Sequence, residues 1–399
     1  KIHDEKRWLK AYRNYRGLYG PEMAFRENEK SRVFVKITKT KVLASFGQII
    51  EVLFSQGKFP LGVSPTSVPE DIASRASLKQ KEQQPPQQPD PYGFAGDGAN
   101  IPPGATVNDL MKNLNQEYEN VGFEEGPSYT GGPQIEPARM AAEAMQKLIH
   151  DQLEESRAIT ILRHVFFEMV LLGTGILKGP FTDLKEYNSF DTAEDDTGNK
   201  ININVKKVKT IPSIEAVSCW DFYPDPNATN IHDCDYVIQR HSYNKQQFQD
   251  LAEKPMFDYD AVMECLKEGP NYQTRGFESS LYDRENIQSI YKNRFEVLEY
   301  WGIIDKKTAD ECGMTYEGTG DVIAVNVWIC GNKVLRMVEN PFTPSRIPYL
   351  VCPYELNPYQ FFGVGIPENM EDSQMVMNGH ARMAIDNLAL AGNLVFDVD

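Results

Sequence analysis

Cysteine, histidine and basic charge are all scarce in this sequence of 399 residues. The six cysteines, at 219, 234, 265, 312, 330 and 352, include no C-x-x-C pair. They read as reduced thiols of a cytosolic protein, not as a disulfide framework. The six histidines stand in no H-E-x-x-H arrangement, and there is no G-x-S-x-G around a serine, so no hydrolase signature is present. His232, Asp233, Cys234, Asp235 and His241 are close in sequence, but no second pair of ligands has metal-site spacing. The stretch Gly173–Pro180 resembles a phosphate loop only in its glycines. It lacks G-x-x-x-x-G-K-S/T, and it follows a predicted helix where a phosphate loop precedes one. Long apolar runs are also missing. The most apolar, Ile159–Leu177, is broken by Arg163, His164 and Glu168, which predicts a buried helix and not a membrane span. The net charge of −16 and the pI near 5.0 exclude a protein that coats nucleic acid, which would be basic. They allow one past which DNA slides without sticking.

Apolar residues make up 41% of the chain, enough for real cores, and the length suits two or three domains. The pattern predicts an α+β chain. Lys1–Tyr19 places Trp8, Tyr12, Tyr15 and Tyr19 on one helical face among lysines and arginines, which suits a docking helix or a contact to DNA or an acidic partner. Arg32–Ile37 alternates as a short strand, and Thr38–Gln56 follows as a helix. Residues 65–134, rich in Gln, Pro and Gly, cannot form a core and read as an insertion, with a short helix at Val107–Tyr118. Two helices then bend at Glu154-Glu155-Ser156 and end at Gly173-Thr174-Gly175. Ile176–Phe181 reads as a strand, Asp183–Lys200 as a hairpin loop, and Ile201–Lys209 as a further strand. Pro212–Ser242 reads strand, turn, strand, and Lys245–Leu266 is helical with a split near Pro255. Phe295–Ile304, Val322–Ile329 and Val334–Val338 are strands, the last two joined at Gly331-Asn332.

The remainder is organised around Phe361–Asp399. Gly363 and Gly365 precede Pro367, which suits a helix start, and Glu368, Glu371 and Asp372 favour its first turns. Met377, Ala381, Ala384, Leu388 and Ala391 step by four and three as a heptad-like seam, and Val376, Met383 and Leu390 form a second row. Asn378, Arg382 and Asp386 are spaced at i, i+4 on another face. About 25 helical residues would reach roughly 37 Å. Residues 361–399 hold six acids (Glu368, Glu371, Asp372, Asp386, Asp397, Asp399) against Arg382 alone. Gly392-Asn393 ends the helix, and Leu394–Val398 alternates like the start of a strand.

Three stretches resemble the portal proteins of tailed double-stranded-DNA bacteriophages: Leu171–Gly179 (LLGTGILKG), Cys219–Arg240 with its WDFYPDPNA turn and D-Y-V-I-x-R strand, and Phe361–Asn393. The resemblance implies a ring subunit, usually of a dodecamer, with a mixed α/β wing body and a long stem helix. It implies the following division: residues 1–64 an N-terminal part of the wing, 65–134 the insertion, 135–360 the α/β wing, 361–393 the first stem helix and 394–399 the start of the clip. The later stem, tunnel and crown parts of the family are not matched, so the chain is expected to be the N-terminal part of such a protein. The implied function is passive: a channel for DNA packaging and ejection at one capsid vertex, with terminase and then the tail attached there. The implied partners are other copies, duplex DNA, the major capsid protein, the terminase large subunit and a head–tail adaptor. Neither a membrane nor a cofactor is implied, and the ATPase would be a partner. The implied location is the virion, after synthesis in the host cytoplasm. Met377, Ala381, Ala384 and Leu388 would pack stem against stem, and Glu371, Asn378, Arg382 and Asp386 would be polar groups of the interface or channel. A head–tail adaptor or other tail ring component is the alternative, and an uncharacterised hydrolase a more distant one.

Overall fold

The helix that follows the Glu154-Glu155-Ser156 bend is the hub of a computed structural model that describes residues 1–27, 29–55, 59–65, 135–194, 200–282, 293–316 and 320–392. Contacts divide the chain into Lys1–Pro60 with Gln152–Asp399, and Leu61–Asp151. In the smaller unit lies most of helix α3 (Ile135–Glu155), and the Val63 N–H donates to Gln146 Oε1 at 3.4 Å. The remainder of the insertion beyond Pro65, the Val107–Tyr118 helix and the 394–399 segment lie outside the described residues.

The larger unit begins with α1 (Ile2–Arg16) and α2 (Ile37–Phe54). Arg157 bends the chain into α4 (Ala158–Leu172) with a φ of 53°. Strands β1 (Thr174–Glu194), β2 (Lys200–Val217), β3 (Phe222–Pro224) and β4 (Tyr236–Tyr243) follow. Helices α5 (Lys245–Asp250), α6 (Tyr259–Glu268) and α7 (Gly276–Tyr282) lead to β5 (Phe295–Asp305) and α8 (Lys306–Glu311). Next come β6 (Val322–Cys330), β7 (Lys333–Glu339) and β8 (Tyr349–Pro353). Two helices close the described chain, α9 (Ile366–Asn369) and α10 (Glu371–Gly392). All strand pairing is antiparallel, in one sheet of order β2-β1-β8 and another of order β3-β4-β5-β6-β7. Among the described residues no helix is long and apolar enough to cross a membrane.

The docking face expected of the first helix is real. Trp8 is buried edge-on against Trp220 and Phe362, at 5.3 and 4.8 Å between ring centroids. Those rings join α4, β1 and the approach to α9 in one core. A second core lies under α5 and α6 (Phe248, Leu251, Val262) against Phe295 and Leu335.

Two expectations change. Asp183–Lys200 is not a loop throughout, because β1 runs on to Glu194 and β2 starts at Lys200, with Glu194 opposite Lys200. Asp183, Leu184, Tyr187 and Asn188 are all exposed, so successive positions here show no one-sided apolar alternation to mark a strand. Arg32–Ile37 is not a strand, although it alternates like one. Its Val35 N–H donates to Asn378 of α10, the Val33 and Ile37 N–H groups bond within the segment, and the flanking Ser31 and Thr38 N–H groups also donate to α10 side chains, in place of a strand partner. The long helix also has a break: Met370, with ψ near 2°, separates α9 from α10.

The two glycine motifs meet where the chain crosses itself. Gly173 ends α4 in the left-handed region, with φ of 92°. A Cβ there would lie 2.5 Å from the Gly363 carbonyl oxygen, and one on Gly363 would lie 2.7 Å from that of Gly173. Tyr354 N–H donates to the Gly173 carbonyl at 2.8 Å, and Gly363 N–H to the buried Thr174 hydroxyl at 2.9 Å. Gly173→Ala and Gly363→Ala are each expected to cost about 2–4 kcal/mol through strain and lost bonds. Gly379→Ala, in open space on α10, should be neutral or slightly stabilising. Thermal unfolding of the three variants tests this; equal midpoints would remove the crossing from the account.

The two sheets are also tied by buried charge. Lys178 of β1 donates to Glu299 of β5, whose carboxylate lies 2.7 Å from His241 Nε2 and accepts from Trp301 Nε1 at 2.7 Å. Burial alone would raise the Glu299 carboxyl. The Lys178 charge and the His241 hydrogen bond outweigh it and hold the group at about 2. A carboxyl held below its ordinary 4.5 stabilises the fold fully above that value, and the contribution is lost as pH falls from about 4.5 to about 2. Glu299→Gln should cost about 3–5 kcal/mol at neutral pH by stranding the Lys178 ammonium. It should also flatten the acid limb of stability. Lys178→Met combined with Glu299→Gln should recover most of the loss, as read by urea unfolding across pH.

Candidate functional site

Helix α10 is amphipathic in the reverse sense to a core helix. Gln374, Asn378 and Arg382, one turn apart, are its buried residues. Outward lie Met375, Val376, Met377, Met383, Ile385, Leu388 and Leu390, with Leu388 72% and Leu390 70% exposed. A surface helix ordinarily does the opposite.

The polar row faces an extended strap of the same chain, Glu29–Thr38, which supplies donors that no strand satisfies. Asp386 accepts from the Lys30 N–H at 3.2 Å and the Ser31 N–H at 2.9 Å. Asn378 Oδ1 accepts from the Val35 N–H at 2.9 Å. Gln374 Oε1 accepts from both the N–H and the hydroxyl of Thr38, and its amide donates to the Val35 carbonyl and to Asn378. Arg382 donates to Glu29 at 2.6 Å and to the Tyr19 hydroxyl at 2.7 Å, with its guanidinium over the Tyr19 ring. The Arg382 hydrogen bond holds the Glu29 carboxyl below its ordinary value. Lys10 pairs with Glu371 at the start of the helix, a hydrogen bond that raises the lysine.

Each residue expected at the interface or channel can therefore be placed. Asn378 and Arg382 are buried, and Asp386 and Glu371 are engaged within the chain, so this row is an intrachain clasp. What puts it inside is the strap's unpaired backbone, which needs side-chain acceptors. In the seam, Met377, Ala384 and Leu388 are exposed and Ala381 is half-buried. Val376, Met383 and Leu390 are exposed as well. At 3.6 residues per turn the two apolar rows lie about 120° to either side of the clasp. Gln374, the centre of the clasp, was missed from sequence, although extending the i, i+4 row back one turn from Asn378 finds it.

Elsewhere the titratable groups serve the fold. Burial pushes the Glu168 carboxyl up to about 7, while it accepts from the Ser218 hydroxyl and the Cys219 N–H. Burial also raises the Cys219 thiol, which donates to the Thr174 carbonyl. His232 lies in a short 3₁₀ turn capped by Asn230, whereas His241 belongs to the buried Glu299 cluster. Among the described residues no group of three His, Cys, Asp or Glu side chains could hold a metal.

The family model described as phage SU10 portal protein matches residues 180–395, more than half of the chain. The matched span takes in most of both sheets and the whole of α10.

Removing one clasp acceptor leaves buried donors unpaired, at a cost of roughly 1–3 kcal/mol. Gln374→Ala should speed amide exchange at Thr38 about tenfold or more, Asn378→Ala should do so at Val35, and Asp386→Ala at Lys30 and Ser31. Unchanged exchange would mean that the strap is held by other contacts.

Proposed function

The chain belongs to the phage SU10 portal protein family, and on that premise we propose how its long helix builds the ring. Phage portal proteins are structural: they assemble as a ring at the capsid vertex and serve as the passage for DNA during packaging. In our reading α10 is the first stem helix, and the body made by the two sheets and α4 is the wing. Residues 1–64 and 135–360 make up that wing, 65–134 is an insertion, 361–393 the stem stretch and 394–399 the start of the clip. The ring is a dodecamer. It contacts the major capsid protein, takes the terminase large subunit during packaging and a head–tail adaptor afterwards, and is made in the host cytoplasm before joining the virion.

The observation that supports this reading is the reversed helix. Burying a Leu, Met or Val side chain contributes roughly 1.5–3 kcal/mol, yet α10 turns five of them outward in two rows, Met377 and Leu388 in one and Val376, Met383 and Leu390 in the other. In a closed ring every subunit has two different neighbours, one on each side. Two apolar rows on opposite flanks of one clasped row fit that demand. Met377, Ala381, Ala384 and Leu388 face one neighbour, and the alanines let the helices approach closely. Val376, Met383 and Leu390 face the other. The clasp through Glu371, Asn378, Arg382 and Asp386 acts at the interface indirectly, by setting which flanks point outward.

The test is the mass and rotational symmetry of the full-length protein, from native mass spectrometry and electron-microscope class averages. A closed ring near twelve subunits is expected, with a hole at least as wide as duplex DNA, roughly 20 Å. Ala384→Trp should reduce ring yield at least tenfold while the subunit remains folded by circular dichroism. Normal rings from that variant would sink the seam assignment.

A further inference from the structure

Among the described residues, most of the long ribbon formed by β1 and β2 has two open edges. β8 pairs only with Thr174–Lys178 of β1. From Phe181 opposite Ser213 out to Glu194 opposite Lys200, each strand has, among the described residues, only the other as partner. At about 3.4 Å per residue this ribbon runs on the order of 45 Å. Two-stranded ribbons are marginal in water, and long open edges invite further strands. The usual defence of a proline is missing, since none stands between Phe181 and Ile211. Leu184, Tyr187 and Val208 lie outward on it, 64%, 45% and 59% exposed.

The two strands differ in sign. Between Lys200 and Lys209, β2 has four lysines (200, 206, 207, 209) and no acid. Between Asp183 and Glu194, β1 has Asp183, Glu186, Asp191 and Glu194 against Lys185 alone. Lys206 and Lys207 already interact within the chain, and Lys209 pairs with Glu155, so the sign of each whole strand matters more than any one lysine. Pairing β2 with β2, or β1 with β1, sets like charges side by side. Pairing the β2 edge of one copy with the β1 edge of another sets opposite charges side by side, which favours the contact. That contact is head-to-tail, the kind that closes into rings. Rotation about a ring axis keeps strand direction, so β1 of one copy and β2 of the next run antiparallel, as β1 and β2 do within the chain.

We propose that these ribbons join edge to edge between neighbouring copies, β2 against β1, in a continuous antiparallel sheet around the ring. The partner is a second copy of this chain. The inference rests on the ring reading above, and it adds an interface separate from the helix seam.

Hydrogen exchange by mass spectrometry on the full-length protein, with ring and subunit fractions separated by size, tests it. Peptides covering 181–194 and 200–213 should exchange at least tenfold more slowly in the ring. The triple variant Lys206→Glu, Lys207→Glu, Lys209→Glu should lower ring yield at low salt at least tenfold. Adding Asp183→Lys, Glu186→Lys and Asp191→Lys should restore it, because the complementarity is then reversed and not lost. Rings whose ribbon peptides exchange as fast as in the subunit would overturn this proposal and leave the ring reading standing. So would a lysine variant that assembles normally, or a sixfold variant that does not recover. Failure of the unaltered protein to form rings at any salt concentration would overturn both. Should the lysine variant misfold, judged by exchange in the β4–β7 sheet, the exchange comparison on the unaltered protein decides.

Discussion

Where Gly173 and Gly363 pass each other, backbone lies on backbone with no room for a single carbon between them. That crossing joins the end of α4, the start of β1 and the approach to α9, and Thr174 sits beneath it fully buried, its hydroxyl accepting from the Gly363 amide. The large rings of the core, Trp8, Trp220 and Phe362, close around the same place. The direction in which α10 leaves the body is therefore set by covalent geometry at a few residues. In the proposed ring, where α10 would stand beside its copies, a rigid base matters, since a small tilt at the root becomes a large displacement at the far end.

The clasp does for rotation what the crossing does for direction. Gln374, Asn378, Arg382 and Asp386 spend their hydrogen-bonding capacity on a strap that has no strand to pair with, and both sides are satisfied by the exchange. Buried polar groups restrict a helix more narrowly than apolar packing does, because a slip of one position leaves several donors unpaired at once. The apolar rows are then left outside by construction. Arg382 over the Tyr19 ring adds an aromatic contact to its charged one.

Charge is used in two ways. Inside the body, the Lys178–Glu299–His241 cluster crosses from one sheet to the other and makes their relative placement costly to change. On the ribbon, the sequence places mostly acids on β1 and only bases among the charges of β2 between Lys200 and Lys209. In the proposed edge-to-edge pairing this difference would bias which edge meets which and add little stability, as exposed pairs do.

Periodicity and punctuation in the sequence were enough for the α+β class, the docking face of the first helix, the β5–β6–β7 meander and the long helix after Pro367, because each depends on near neighbours along the chain. The glycines at 173 and 363 were visible as breaks, but nothing local says that they touch, for their contact joins positions far apart in sequence. Arg32–Ile37 read as a strand because its alternation is genuine, whereas the strap it belongs to is held by side chains of a distant helix. The Asp183–Lys200 stretch read as a loop because its acidic, glycine-containing sequence has no apolar alternation to show, although β1 and β2 pair through it. Sequence alone also marked Asn378, Arg382 and Asp386 as one row and Met377, Ala381, Ala384 and Leu388 as another. Only the tertiary structure decided that the polar row faces inward, because the choice depends on whether a distant segment arrives with unpaired backbone donors.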